Sequence, residues 1–130
     1  MEYTLRSLSV LRPTECFDAD KAAALAQAIE AAGVWTHELL IHRDCHAVLD
    51  GHHRLAAAKM LGLRSVPCRL VSYGQAGLSL HAWREGDEVT PDKVLAAAAS
   101  GALLPFKTTR HVLAQDPAPV RVPLSALLTA

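Results

Sequence analysis

The chain has 130 residues, 51% of them hydrophobic, and its 13 basic residues balance 13 acidic ones. That length and composition suit one real core and argue against disorder, so residues 1–130 are expected to form a single domain. The charge balance lacks the basic excess of a protein that grips many DNA phosphates, no apolar run reaches a membrane span, and Met1-Glu2-Tyr3 does not open a signal peptide.

The first element expected is a strand over residues 3–12, closed by Arg12-Pro13. Pro13-Thr14-Glu15 then leads through Cys16-Phe17-Asp18 into a helix. Asp18 or Asp20 can cap it and Gly33 can end it, with Ala22, Leu25, Ala26, Ile29 and Ala32 forming its buried stripe. Trp35 and His37 fall in the following loop. Leu39-Leu40-Ile41 and Ala47-Val48-Leu49 around Arg43-Asp44-Cys45 read as a hairpin. An apolar helix follows from His52 to Leu61, ended by Gly62. Ser65–Val71 is a strand that Pro67 should put near an edge or at its start, and Leu78–Trp83 is another. Thr90-Pro91-Asp92 is a helix start, with Thr as cap and Pro at the first helical position, and Gly101 closes that helix. The tail carries Pro117, Pro119 and Pro123. The three cysteines, Cys16, Cys45 and Cys68, contain no C-x-x-C pair, which argues against a disulfide framework or structural zinc and suits a cytoplasmic protein. Cys16 and Cys68 are expected to be buried.

Two segments carry chemistry. Asp50-Gly51-His52-His53-Arg54 joins a strand to a helix, where free N–H groups and the helix dipole favour a phosphate. The two His and the Arg add side-chain donors, and Asp50 can hold a metal ion or orient a donor. An ordinary turn with histidines at a helix start fits the same residues, so both readings stay open here. Lys107-Thr108-Thr109-Arg110-His111 gives five consecutive side chains able to donate to phosphate oxygens, without the Gly-rich run of a Walker loop. Glu15, taken alone, reads as part of a helix start. His37, His42, His46 and His81 have no assigned role.

At Asp50–Arg54 the sequence resembles the ParB/sulfiredoxin-type fold family. Pro13-Thr14-Glu15, Val66-Pro67-Cys68 and Lys107–His111 narrow the likeness to the free L-serine kinases of that superfamily, over about residues 8–112. The resemblance implies an α/β (α+β) fold, a small mixed sheet with helices packed beside it. Sulfiredoxins carry a reactive Cys where this chain has His52. ParB proteins bind CTP at a related turn and continue into a helix-turn-helix, whereas this chain ends soon after the phosphate loop. Some of the kinases have a longer C-terminal region, so part of the substrate pocket could be missing or come from a partner subunit.

The implied activity is transfer of a phosphoryl group from ATP or ADP to the hydroxyl of free L-serine, giving O-phospho-L-serine for cysteine or siderophore-type biosynthesis. By that resemblance Glu15 is the general base and Asp50 a second acid near magnesium and the transferring phosphate. Gly51, His52, His53, Arg54, Lys107, Thr108, Thr109, Arg110 and His111 bind the nucleotide phosphates. Trp83 is offered as the serine pocket wall, with a packing role equally open. L-serine and nucleotide are the expected partners, a homodimer is left open, and neither DNA nor membrane is expected. The rival readings are a non-catalytic ParB-like module that senses CTP or ATP, and an inactive or partner-dependent kinase that binds serine or phosphoserine.

Overall fold

The structure, a computed structural model, describes residues 3–115 and 118–128. Met1-Glu2 and Pro117 lie outside the described residues. In chain order the elements are β1 (Thr4–Ser7), a 3-10 turn (Leu8–Val10), α1 (Ala19–Ala32), β2 (Val34–Trp35), β3 (Leu39–His42), β4 (Val48–Asp50) and α2 (His52–Met60). There follow β5 (Ser65–Val71), β6 (Leu78–Ala82), α3 (Pro91–Ser100), β7 (Thr109–Leu113), β8 (Val122–Pro123) and α4 (Leu124–Leu127).

A four-stranded mixed sheet, in the order β1-β5-β3-β4, is the scaffold. β3 and β4 form the expected antiparallel hairpin, and β5 lies parallel to β3. Alternation along β3 divides the core. Leu39 and Ile41 face a cluster with Trp35, Val48, Leu55, Val66 and Leu127, while Leu40 faces a second with Leu49, Val71, Val94 and Ala98. Helices α1 and α2 pack on each other beside the first cluster. Val94 and Ala98 of α3, with Leu80 and Leu113 of the antiparallel β6–β7 ribbon, cover the second.

Several expectations change. The first strand stops at Ser7, because Leu8–Val10 tightens into a 3-10 turn, and Arg12 makes only an isolated bridge to Ala47. Trp35 is not in a loop: it pairs with Val122 in the β2–β8 ribbon and is buried. β5 is an interior strand; Pro67 is tolerated because pairing with β3 begins only at Cys68, so Pro67 faces β1 alone. Cys68 is buried as expected, but Cys16 is exposed. In α1 the buried stripe narrows to Ala22 and Ala26, with Leu25 and Ile29 half-buried and Ala32 exposed. Met60 of the apolar α2 is also exposed.

Helix ends follow local chemistry. Thr90 Oγ1 accepts from Lys93 N–H at 3.2 Å, and Gly101 closes α3 in the left-handed conformation. At α1 the choice between two acids is resolved. Asp18 Oδ1 accepts from the N–H groups of Asp20 and Lys21 at 2.9 and 3.2 Å, whereas Asp20 sits within the first turn. Asp18→Ala should therefore cost about 1 kcal/mol in urea unfolding, the usual worth of an N-cap, and Asp20→Ala only a few tenths. Equal losses would contradict this assignment.

Candidate functional site

The site grows from the β4–α2 junction. Gly51 is required twice over: its φ is +106°, and a Cβ there would stand 2.9 Å from Leu39 Cγ in the core. No side chain caps α2, so the N-terminus of this nine-residue helix keeps N–H groups available to an anion. Leu55–Ala58, all buried, fasten the helix against the sheet and α1.

The two histidines of this turn are acceptors of backbone N–H groups and not cations. His52 Nε2 accepts from Thr14 N–H at 3.1 Å, and His53 Nε2 accepts from Asp18 N–H at 3.0 Å. A ring nitrogen that accepts carries no proton, so both rings are neutral with the proton on Nδ1. Burial pushes His52 down to about 4, reinforced by His53 and His111. Burial also lowers His53, with Lys21 next in effect. What these residues can offer a phosphate is Nδ1–H and backbone N–H. Arg54 is the cation of the turn. Burial lowers its pKa and Asp50 raises it; a guanidinium, unlike an imidazole, keeps its charge at neutral pH.

The histidine bonds hold the segment from Thr14 to Asp18, which carries Glu15. Thr14 Oγ1–H donates to Val48 O at 2.8 Å, and a bridge to Leu104 pins the same segment from the other side. Glu15 is buried, and its Oε2 accepts from both the N–H and the Oγ1–H of Thr109, at 3.1 and 2.9 Å. The base candidate and the Lys107–His111 segment are therefore in direct contact.

That segment does not present five donors together. Thr108 Oγ1–H is spent on Pro105 O and Thr109 on Glu15, while His111 Nε2 meets Tyr73 OH at 2.7 Å. Only Lys107 and Arg110 are exposed, because alternation along β7 turns Thr109 and His111 inward. Lys107, at a positive φ of 55°, lies 5.6 Å from the Trp83 ring and 5.7 Å from that of Phe106; Arg110 lies 5.3 Å from Trp83. Trp83 is thus half-exposed beneath two cations and does not line the cavity beside Asp50. The Phe106 ring in turn meets His53 at 5.5 Å, so Lys107 and the α2 turn share one face.

Two concavities flank that turn. The larger, about 610 Å³, is walled by Asp50, Gly51, Arg54, Arg110 and His111, with Leu40 and Arg69 below. The smaller, about 370 Å³ and more apolar, runs past Glu15, His52, Phe17 and Leu55. Glu15 and Asp50 therefore line different cavities that meet at the first turn of α2. Asp50 is open to solvent, yet the protein around it displaces enough water to raise its carboxyl, against the pull of Gly51 N–H and Arg54. Among the described residues no cluster of three or more His, Cys, Asp or Glu could hold a metal ion. Asp50 fits only a magnesium that arrives with the nucleotide, since Mg²⁺ needs one or two carboxylates when phosphates and water supply its other ligands. No helix among the described residues is long and apolar enough to cross a membrane.

The sequence reading missed Tyr73 and the buried Glu38, whose Oε1 meets Arg69 at 3.0 Å. The available signal was a charge set into an apolar strand: Glu38 before Leu39-Leu40-Ile41, and Arg69 inside Ser65–Val71.

Comparison with known proteins gives one consistent direction. The ParB N-terminal domain matches residues 4–85. An ATP-dependent L-serine kinase of Desulfurococcus mucosus is 42% identical over 43 residues, 33% of this chain and 17% of that protein. An ADP-dependent L-serine kinase of Thermococcus kodakarensis is 22% identical over 87 residues, 64% of this chain and 36% of that protein. The matched stretches are thus well under half the length of these relatives. Among solved structures, a mutant of a free serine kinase in complex with ADP superposes with a TM-score of 0.88 at 16% identity, over 98% of this chain and 94% of that one.

Because His52 and His111 are both held near 4 against an ordinary 6.5, the unfolded chain takes up protons in that interval and the folded chain does not. Their stabilisation is complete above pH 6.5 and is lost as the pH falls towards 4. Urea unfolding at pH 7, 6 and 5 should show this loss, at most about 1.4 kcal/mol per pH unit for each ring. His52→Gln, whose amide oxygen can still accept from Thr14 N–H, should flatten the slope. An unchanged slope would mean that His52 is not buried neutral.

Proposed function

Because the chain belongs to the ParB N-terminal domain family, we propose that it is a small-molecule kinase that moves a phosphoryl group from ATP or ADP to the hydroxyl of free L-serine. The observation that carries this reading is the buried Glu15. One of its oxygens is held by Thr109 beside the uncapped N-terminus of α2, and Oε1 is left without a bond to any described residue. A module that only sensed a nucleotide would have no use for a carboxylate held in this way. The serine kinase names among the relatives supply the acceptor, and both donor nucleotides occur among them.

In this reading the N–H groups of the first turn of α2 receive the phosphates, with Arg54, Lys107 and Arg110 neutralising charge. Phosphoryl transfer asks mainly for such positioning and electrostatic stabilisation. The serine oxygen forms the new bond to phosphorus as the bond to the leaving phosphate oxygen breaks, and Glu15 takes the hydroxyl proton. Magnesium bound with the nucleotide would neutralise phosphate charge beside Asp50. His52 and His53 act by holding the Glu15 segment in register with that turn.

Purified protein incubated with L-serine, magnesium and either ATP or ADP should yield O-phospho-L-serine, read by mass spectrometry. Phosphoserine with neither donor would remove the assignment. Glu15→Gln should lower kcat by about 10²–10⁴-fold while nucleotide binding persists. Lys107→Ala should instead weaken nucleotide binding, by roughly tenfold for one exposed charged donor. Near-normal turnover in Glu15→Gln would take the residue out of the mechanism.

A further inference from the structure

Buried polar atoms without partners are uncommon, and each calls for an explanation. Three occur here among the described residues: Glu38 Oε2, Arg69 Nε and His111 Nδ1. All three residues line the 610 Å³ cavity beside Asp50 and Gly51. The Glu38 side chain is only 3% exposed, yet it meets Arg69 through one oxygen and one terminal nitrogen, where a guanidinium and a carboxylate could pair twice. The pair is thus half-satisfied at the floor of an open cavity.

The chemistry of the three atoms differs. Glu38 Oε2 can only accept, and Arg69 Nε can only donate. With Tyr73, kept protonated by burial, as donor to His111 Nε2, the proton of the neutral His111 ring lies on Nδ1, a donor. The Leu49 carbonyl lies near that ring without reaching hydrogen-bond geometry. A simple anion would satisfy Arg69 and His111 but leave Glu38 Oε2 bare beside a second negative charge. A simple cation would do the opposite.

The site also has the right span. Leu40 of β3 stands opposite both Arg69 of β5 and Asp50 of β4, so one row across the sheet carries Arg69, an apolar floor and Asp50. Two strand spacings separate the outer backbones by about 10 Å, room for a ligand of a few heavy atoms between their side chains. The other titratable groups lining the cavity are Arg54, Arg110 and His37, the last with its pKa lowered by burial and by Arg54.

We propose that the Glu38–Arg69 pair is the head-group subsite for a free α-amino acid: Glu38 Oε2 accepts from its ammonium, and Arg69 Nε–H donates to its carboxylate. Its hydroxymethyl group then points back towards the first turn of α2, where His111 and the Glu15-bound Thr109 project from the same face of β7. This rests on the kinase reading for the identity of the amino acid, L-serine, but not for the zwitterion selectivity. Glu38 thereby decides which hydroxyl compounds are admitted, since a site built around an ammonium strongly rejects an analogue without one.

Calorimetry on the whole chain tests it, with and without AMP, so that no phosphoryl donor is present. L-serine should bind the wild type at least about tenfold more tightly than either glycerate, which lacks the ammonium, or ethanolamine, which lacks the carboxylate. Glu38→Gln should weaken L-serine by about 10- to 100-fold, to the level of glycerate, with AMP binding unchanged and partial rescue in Glu38→Asp. Glycerate binding the wild type as well as serine does, no serine binding in either condition, or a twofold or smaller change in Glu38→Gln overturns the proposal. If Glu38→Gln fails to fold, the wild-type comparison alone decides. Phosphoserine formation with a KM for serine indifferent to Glu38 would remove the subsite and leave the kinase reading standing. Glu38-dependent serine binding without phosphoserine would do the reverse.

Discussion

Two imidazole nitrogens, His52 Nε2 and His53 Nε2, accept the N–H groups of Thr14 and Asp18, and the chemistry of this chain depends on those two bonds. The connection between Pro13 and Asp18 has no strand or helix of its own to fix it. Without partners for its N–H groups it would be a costly segment to cover, since buried backbone donors are almost always paired. The imidazoles supply the partners and, in doing so, set Glu15 beside the start of α2. Asp18, held in the same way, then caps α1 with its own carboxylate. One pair of residues thus links the phosphate-type turn, the candidate base and the first helix.

That arrangement has an electrostatic consequence. A histidine recruited to accept a backbone N–H cannot also be a cation, so the positive charge of the site comes from Arg54, Lys107 and Arg110, and from the dipole of α2. The neutral rings keep their proton on Nδ1, leaving them able to donate without the desolvation cost of a buried charge. His111, kept neutral by burial, pairs with the Tyr73 hydroxyl instead.

The mixed sheet then decides which chemical groups meet. Leu39 and Ile41 drive into one core cluster while Leu40 points the other way, and Gly51 lets the chain pass Leu39 closely enough to start α2 at the end of that core. The result is a helix N-terminus with a concavity on either side, one apolar and one lined by opposite charges.

Much of this was determined by the sequence alone. The β3–β4 hairpin, the Gly51 turn, α2, and α3 with its Thr90 cap and Gly101 stop all rest on interactions between residues a few positions apart, which spacing and residue type reveal. The Asp50–Arg54 and Lys107–His111 segments were legible as donor-rich for the same reason. Only the tertiary structure decided how those donors are spent. A histidine as cation and a histidine as acceptor look identical in sequence, and His52 becomes an acceptor because the fold brings Thr14, 38 residues away, to its ring. Lys107–His111 looked like one cluster because sequence does not show strand alternation against a particular core; β7 turns Thr109 and His111 inward and leaves Lys107 and Arg110 outside. The Glu38–Arg69 pair, 31 residues apart, exists only through the parallel register of β3 and β5, a long-range pairing that no local pattern encodes.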